Sequence, residues 1–294
     1  MLFERFVAID WSGARGPSLK GLQVAICDAG TDAPVLVTNP SLGRIHWRRP
    51  DLVEWLESLS RDNVRTLLGM DFAFAFPFCD RHEYFPGAEG TPADPIRLWS
   101  EVEDVCATAT GLYGGPFYLR ADARYAAYLR YQTYTGNAFE ERFRETELAC
   151  RRIYGTRPAC DFVCVGSNSV GVGSIAGMRL LSRLHQTTSE RLQIWPFETD
   201  RGSGHVLVEI FPRLFYLQAE QDPNAWADRL ILNDVLSHYH SQPLPEGVVI
   251  ATEDEADAVV SAAALRAYAN DSRLWATQEM SDCAAGHEGW IFGV

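Results

Sequence analysis

Three apolar segments of this 294-residue chain each carry one carboxylate at or near their C-terminal end. They are Phe6-Val7-Ala8-Ile9-Asp10, Leu67-Leu68-Gly69-Met70-Asp71 and Val206-Leu207-Val208-Glu209-Ile210. Short apolar runs of this kind read as buried strands. A carboxylate carried into such a setting costs several kcal/mol unless a partner or a cation compensates it. Strand ends are also where open α/β sheets form their ligand clefts. One acid placed this way is ordinary, whereas three predict a shared site.

A helix predicted over residues 253–269 adds to the set. Asp254 and Asp257 lie three residues apart, on one face near its N-terminus. Behind Asp257 at helical spacing come Val260, Ser261 and Ala264, small enough to let the helix lie close against a sheet. Two strand acids facing an Asp-x-x-Asp helix end suit Mg²⁺ or Mn²⁺, which prefer oxygen ligands and can activate water while bridging a phosphodiester. The candidate metal ligands are therefore Asp10, Asp71, Asp254 and Asp257, and the candidate catalytic residues are Asp10, Asp71, Glu209 and Asp257. Plainer readings stand beside these. Thr252-x-x-Glu255 is a capping box, and acids in a first turn favour the helix dipole, which accounts for Asp254 better than for Asp257. Glu209 is the weakest of the strand acids, because an edge-strand Glu can reach solvent or an arginine.

The elements that must position these acids are predicted in the following order. Strands at 6–11, 20–27 and near Arg44–Trp47 precede a helix opened by Pro50-Asp51, with Leu52, Val53, Leu56 and Leu59 on one face. A strand over 66–72 follows. Short connections favour antiparallel pairing of the first three strands, and the helical crossover favours a parallel fourth. Residues 80–160 break this rhythm with a Pro/Gly-rich loop and helical stretches at 96–110, 120–133 and 138–153. They read as a mostly helical insertion within one domain spanning 1–294. Beyond it come a strand at 161–165, a small-residue loop at 166–174, a helix at 175–184, and strands at 192–197 and 205–211.

The formal charge of −13, from 26 basic and 39 acidic side chains, opposes non-specific nucleic-acid binding. A nucleic acid or nucleotide partner would need a local basic surface. Arg142, Arg144, Arg151, Arg152 and Arg157 are the candidates for it, offset by Glu141, Glu145 and Glu147. Tyr118–Tyr134 interleaves Arg120, Arg124 and Arg130 with four further tyrosines, suited either to stacking on bases or to packing within the insertion. The loop Gly171–Gly177 fits neither a dinucleotide fingerprint nor a P-loop, although its backbone N–H groups ahead of a helix could receive a phosphate. No histidine spacing for a metal and no Ser/His/Asp order are evident. No run of about 18 apolar residues predicts a membrane span, and the N-terminus lacks the features of a secretory signal. The seven cysteines are irregularly spaced without C-x-x-C and read as reduced, mostly buried thiols, which predicts a cytoplasmic location.

Several segments together resemble a known family. Phe6-Val7-Ala8-Ile9-Asp10-Trp11-Ser12-Gly13-Ala14 is similar to the opening of the predicted ribonuclease-H-like nucleases, a large domain family of unknown function. Gly69–Pro77 resembles its second acidic strand, and Arg144-Glu145-Thr146-Glu147 its Arg-x-Thr-acid segment. Val208–Pro212 resembles its Glu-x-x-Pro strand, Asp254–Ala258 its acidic helix, and Glu288–Phe292 its tail. The pattern is also distantly similar to Holliday-junction resolvases. The resemblance implies a ribonuclease-H-like mixed sheet, with three antiparallel strands followed by parallel ones. It implies Asp10, Asp71, Asp254 and Asp257 as metal ligands. The expected activity is metal-dependent phosphodiester hydrolysis with Mg²⁺ or Mn²⁺. The alternatives are a non-catalytic binding protein that keeps the fold and a phosphotransferase of the actin and sugar-kinase type. The last needs a second phosphate loop near 161–174.

Overall fold

Phe6, Val7, Ala8 and Ile9 are apolar on both faces of an extended chain, so a strand built from them has to be covered on both sides. The computed structural model describes residues 3–43, 46–119, 123–156, 158–166, 169–198 and 204–294, and it covers this strand as expected. The strands are β1 (Arg5–Asp10), β2 (Gln23–Asp28), β3 (Val35–Leu36), β4 (Thr66–Met70), β5 (Arg130–Tyr131), β6 (Tyr134–Thr135), β7 (Leu192–Ile194) and β8 (His205–Glu209). The helices are α1 (Arg49–Leu59), α2 (Pro95–Cys106), α3 (Gly115–Tyr118), α4 (Glu145–Tyr154), α5 (Val170–Thr188), α6 (Pro212–Gln218), α7 (Arg229–His238), α8 (Glu253–Tyr268) and α9 (Ser272–Trp275).

Six strands form a mixed sheet in the order β3-β2-β1-β4-β8-β7, and β5 with β6 makes a separate hairpin. The pairings β3–β2 and β2–β1 are antiparallel, while β1–β4, β4–β8 and β8–β7 are parallel. Alternating side chains divide the core between the two faces. Val7, Ile9, Val24, Leu68 and Met70 pack toward α1, α2 and α5. Phe6, Ala8, Ala25, Leu67 and Val208 pack toward α6, α7 and α8. The small residues predicted to bring α8 close do so, and Ser261 and Ala264 are fully buried. Gly69 completes the fit, because a Cβ there would come within 2.9 Å of Leu265 and 2.7 Å of Ile210.

Several expected elements differ. The third strand lies at Val35–Leu36 rather than near Trp47. Arg44 and Ile45 are outside the described residues, and Trp47, fully buried, forms only an isolated bridge with Leu19. Residues 161–165 form a turn with one bridge, Arg130 to Val163, because Phe162 is apolar for stacking on Phe76 and not for strand pairing. The segment expected as a helix over 120–133 folds as a short 3-10 turn at Ala126–Tyr128 followed by the hairpin, so the insertion is less helical than its aromatic spacing implied. The third helical stretch is confined to α4. The glycines at 171 and 173 belong to the first turn of α5 rather than to a loop. Helices α6 and α7 were not anticipated. Cys79 and Cys283 are joined by a disulfide, contrary to the reading of all seven cysteines as thiols, and the other five are free and buried. Among the described residues, no helix is long and apolar enough to cross a membrane.

Candidate functional site

β1 and β4 run parallel with Ile9 opposite Met70, and the Asp71 amide donates to the Ile9 carbonyl at 3.1 Å. Asp10 and Asp71 thus leave adjacent strand ends side by side. Asp10 continues the face of Phe6 and Ala8, toward α8. The capped N-terminus of α8, where Thr252 accepts from the Glu255 amide, brings Asp254 and Asp257 to the same place. The Asp254 carboxylate lies against Gly21, 3.6 Å from where a Cβ would stand. All four aspartates border one cleft of about 610 Å³, together with Glu253 and the connection between β1 and β2.

The electrostatics of the four aspartates are those of clustered acids, in a cleft whose rim also carries Arg15 and Lys20. Burial pushes the Asp10 carboxyl well above the usual range, and Asp71, Asp257, Asp254 and Glu253 push it further. Asp71 is pushed up to about 7 by burial and then by Glu209 and Asp254. Asp257 rises through burial, Asp71, Glu253 and Asp254. Asp254 rises through burial and Glu253. Among the described residues, no Lys, Arg or His forms an ion pair with any of the four. The neutral groups around them are also short of partners. Gln23, directly across from Asp10 in the sheet, is 1% exposed; its amide nitrogen donates to the Lys20 carbonyl at 2.7 Å, but its Oε1 has no donor. The hydroxyl of Tyr216, buried on α6, lies beside Asp257 yet closes no hydrogen bond.

This donor set, all oxygen and mostly anionic, fits a hard divalent cation. The residues that would hold it are Asp10, Asp71, Asp254 and Asp257. As they stand, no three His, Cys, Asp or Glu side chains among the described residues are gathered tightly enough to hold an ion.

Glu209 has a different environment. It pairs with Met70 in register, one residue out of phase with Asp71, so it shares a face with Leu207 and turns away from α8. There Arg144 grips it with two hydrogen bonds, at 2.5 Å to Oε1 and 2.8 Å to Oε2, and the Phe74 amide donates to Oε2 at 3.0 Å. Arg144 is 1% exposed and also donates to Glu147 at 2.7 Å and to the Glu288 carbonyl at 3.0 Å, with Asp161 at 3.5 Å. Glu209 lines the same cleft as the four aspartates, and its printed hydrogen bonds go to Arg144 and the Phe74 amide.

The basic surface expected around Arg142–Arg157 does not form as predicted. Arg142 and Arg144 are buried, and Arg142 is spent on Asp80 and on the carbonyls of Pro77, Glu83 and Tyr84. Arg152 pairs with Glu279, Arg151 lies over the Phe143 ring, and Arg157 is outside the described residues. Along Tyr118–Tyr134, Tyr125 stacks on Phe85 and Arg124 pairs with Glu101, which is the packing alternative.

Sequence reasoning missed Gln23, Tyr216 and the hub role of Arg144. Gln23 left the signal of a polar residue in the strand predicted over 20–27, whose meaning depends on sheet register, and Arg144 that of the Arg-x-Thr-acid segment, whose partners it did not name. No protein-family model matches this chain, and no curated protein or solved structure matches it either.

Proposed function

We propose that the protein is a metal-dependent phosphodiester hydrolase with a ribonuclease-H-like core. The observation that carries this reading is the convergence of Asp10, Asp71, Asp254 and Asp257 on one cleft, where none of the four forms an ion pair among the described residues. The sheet order, three antiparallel strands followed by parallel ones, supports the fold resemblance seen in the sequence.

A bound Mg²⁺ or Mn²⁺ supplies Lewis-acid chemistry, polarising a phosphoryl oxygen and making water a usable nucleophile near neutral pH. Asp10 and Asp71 would hold the ion from adjacent strands, and Asp257 and Asp254 from the helix. Glu209 is held in place by Arg144, whose guanidinium donates to both of its carboxylate oxygens. The net change adds water across one P–O bond. The water oxygen joins phosphorus, the alkoxide oxygen leaves, and a proton ends on the released alcohol. The phosphotransferase alternative loses its footing, because residues 161–165 form a turn where a second phosphate loop would need a strand.

The test is Mn²⁺ calorimetry on the wild type, Asp10→Asn and Asp71→Asn, followed by hydrolysis of bis-p-nitrophenyl phosphate. The wild type should bind stoichiometrically, and each variant should lose more than the roughly 10–100-fold typical of second-sphere changes. Absence of Mn²⁺ binding at millimolar concentration would sink the hydrolase reading and leave a binding protein that keeps the fold.

A further inference from the structure

Resting on the hydrolase reading, the cleft also narrows the class of substrate. Lys20 is the only lysine in the chain, and it lines the acidic cleft together with Arg15. Both are exposed on the connection between β1 and β2, just after Asp10. Among the described residues, neither pairs with a carboxylate. The Arg15 guanidinium instead lies 5.6 Å from the Tyr113 ring centre.

The segment between Asp10 and Arg15 is held firmly. Arg49, 2% exposed, donates to the Ser12 carbonyl at 2.9 and 2.6 Å and to the Ala14 carbonyl at 2.6 Å. The Trp11 indole donates to the Gly173 carbonyl at 3.0 Å. Gly13 packs so closely on α5 that a Cβ would come within 2.5 Å of the Val172 carbonyl. Two unpaired cations therefore flank a set of carboxylates suited to a metal, one of them at the end of a fixed backbone.

Most arginines of the insertion offer little to a long polyanion. Arg124, Arg130, Arg142, Arg144 and Arg152 are each engaged by a carboxylate of this chain, and Arg120 and Arg157 lie outside the described residues. Polynucleotide affinity comes from Lys and Arg neutralising successive phosphates, and a net charge of −13 repels every phosphate not so met. The cleft volume of about 610 Å³ falls within the span of small-ligand pockets, roughly 300–1,000 Å³.

We infer that the substrate is a small phosphodiester of dinucleotide size, whose phosphate is met by Arg15 and Lys20 beside the carboxylates, and not a long polynucleotide. The test compares thymidylyl-thymidine with a thymidine strand of about twenty nucleotides, both phosphorothioate-linked to resist cleavage. Each is titrated in Mn²⁺ at rising salt against the wild type, Lys20→Ala and Arg15→Ala. Single strands lose affinity with a log–log salt slope of about −0.7 per neutralised phosphate, so the single phosphate of the dinucleotide sets a slope of about −0.7 or shallower, and contact of the two cations with at most two phosphates sets about −1.4 or shallower for the strand. Lys20→Ala should weaken the dinucleotide about tenfold. A slope of about −4 or steeper for the long strand, the mark of about six phosphate contacts, overturns the inference. So does unchanged dinucleotide affinity in both variants, or Mn²⁺ binding without any dinucleotide binding. A wild type that binds no Mn²⁺ overturns the hydrolase reading and this inference together.

Discussion

The two faces of the sheet near its parallel strand ends hold two sets of acids, one partly and one fully buried, and the fold treats them differently. Toward α8 stand Asp10, Asp71, Asp254 and Asp257, each raised by burial and by its neighbours, with no cation among them. On the other face Glu209 and Glu147 close around Arg144, and Glu288 accepts from the amides of Phe78, Cys79 and Glu145. Both sets obey the rule that buried charge needs compensation. In the Arg144 set the chain supplies a counter-charge to Glu209 and Glu147, although burial still raises Glu147, Glu288 and Asp161 and the Asp161 oxygens have no hydrogen bond among the described residues. In the aspartate set no Lys, Arg or His among the described residues forms an ion pair with any member. A carboxylate at a strand end is thus not a site by itself. The site lies where the chain withholds the partner.

This contrast is open to attack from several sides. The largest effect should come from Arg144→Met, which strands Glu209 and Glu147 without their cation. Removing one partner of a buried ion pair costs about 3–5 kcal/mol. Urea denaturation should show a loss of that size, and a loss under about 1 kcal/mol would mean the network is not what holds this face. Glu209→Gln keeps the shape but turns charge-assisted hydrogen bonds into neutral ones, and should cost about 2 kcal/mol in the same measurement.

The aspartate face should respond with the opposite sign. In chelator, Asp71→Asn should stabilise the chain by about 1 kcal/mol, since it relieves a desolvated carboxylate among like charges. The same substitution should abolish the rise in Tm that Mn²⁺ gives the wild type by mass action. A loss of stability in chelator equal to that of Glu209→Gln would erase the distinction between the faces.

The pH dependence follows from Asp71, pushed up to about 7 when folded. An unfolded aspartate releases its proton near pH ~4. Between about pH 4 and 7 the folded chain therefore binds more protons than the unfolded one, and stability falls as pH rises through that window. Thermal melts in chelator across that range should show the decline, and Asp71→Asn should flatten it. The smallest effect belongs to neither face. Arg152→Ala breaks an exposed pair with Glu279 and should change stability by less than about 1 kcal/mol.

Much of the site was legible in the residue order. Apolar runs ending in Asp10 and Asp71 mark strands by composition alone, and the three-residue spacing of Asp254 and Asp257 puts them on one helix face. Local patterns of that kind depend on neighbours a few positions apart. The same locality explains the errors. Tyr125, Tyr128 and Tyr131 carry helical spacing but are spaced for stacking in a turn and hairpin, and Phe162 is apolar because Phe76 lies against it. A pattern reports that a side chain is buried without reporting what buries it.

The sequence by itself determined which acids sit at strand and helix ends, and that burying them would be costly. Only the tertiary structure decided which of them are compensated. Arg144 meets Glu209 across 65 positions of sequence, and the one-residue offset between Glu209 and Asp71 turns them to different faces. Gln23 stands across from Asp10 because β1 and β2 pair in one register and no other. Counter-charge is a matter of distances of a few ångströms, and such distances between remote residues exist only once the chain has closed on itself.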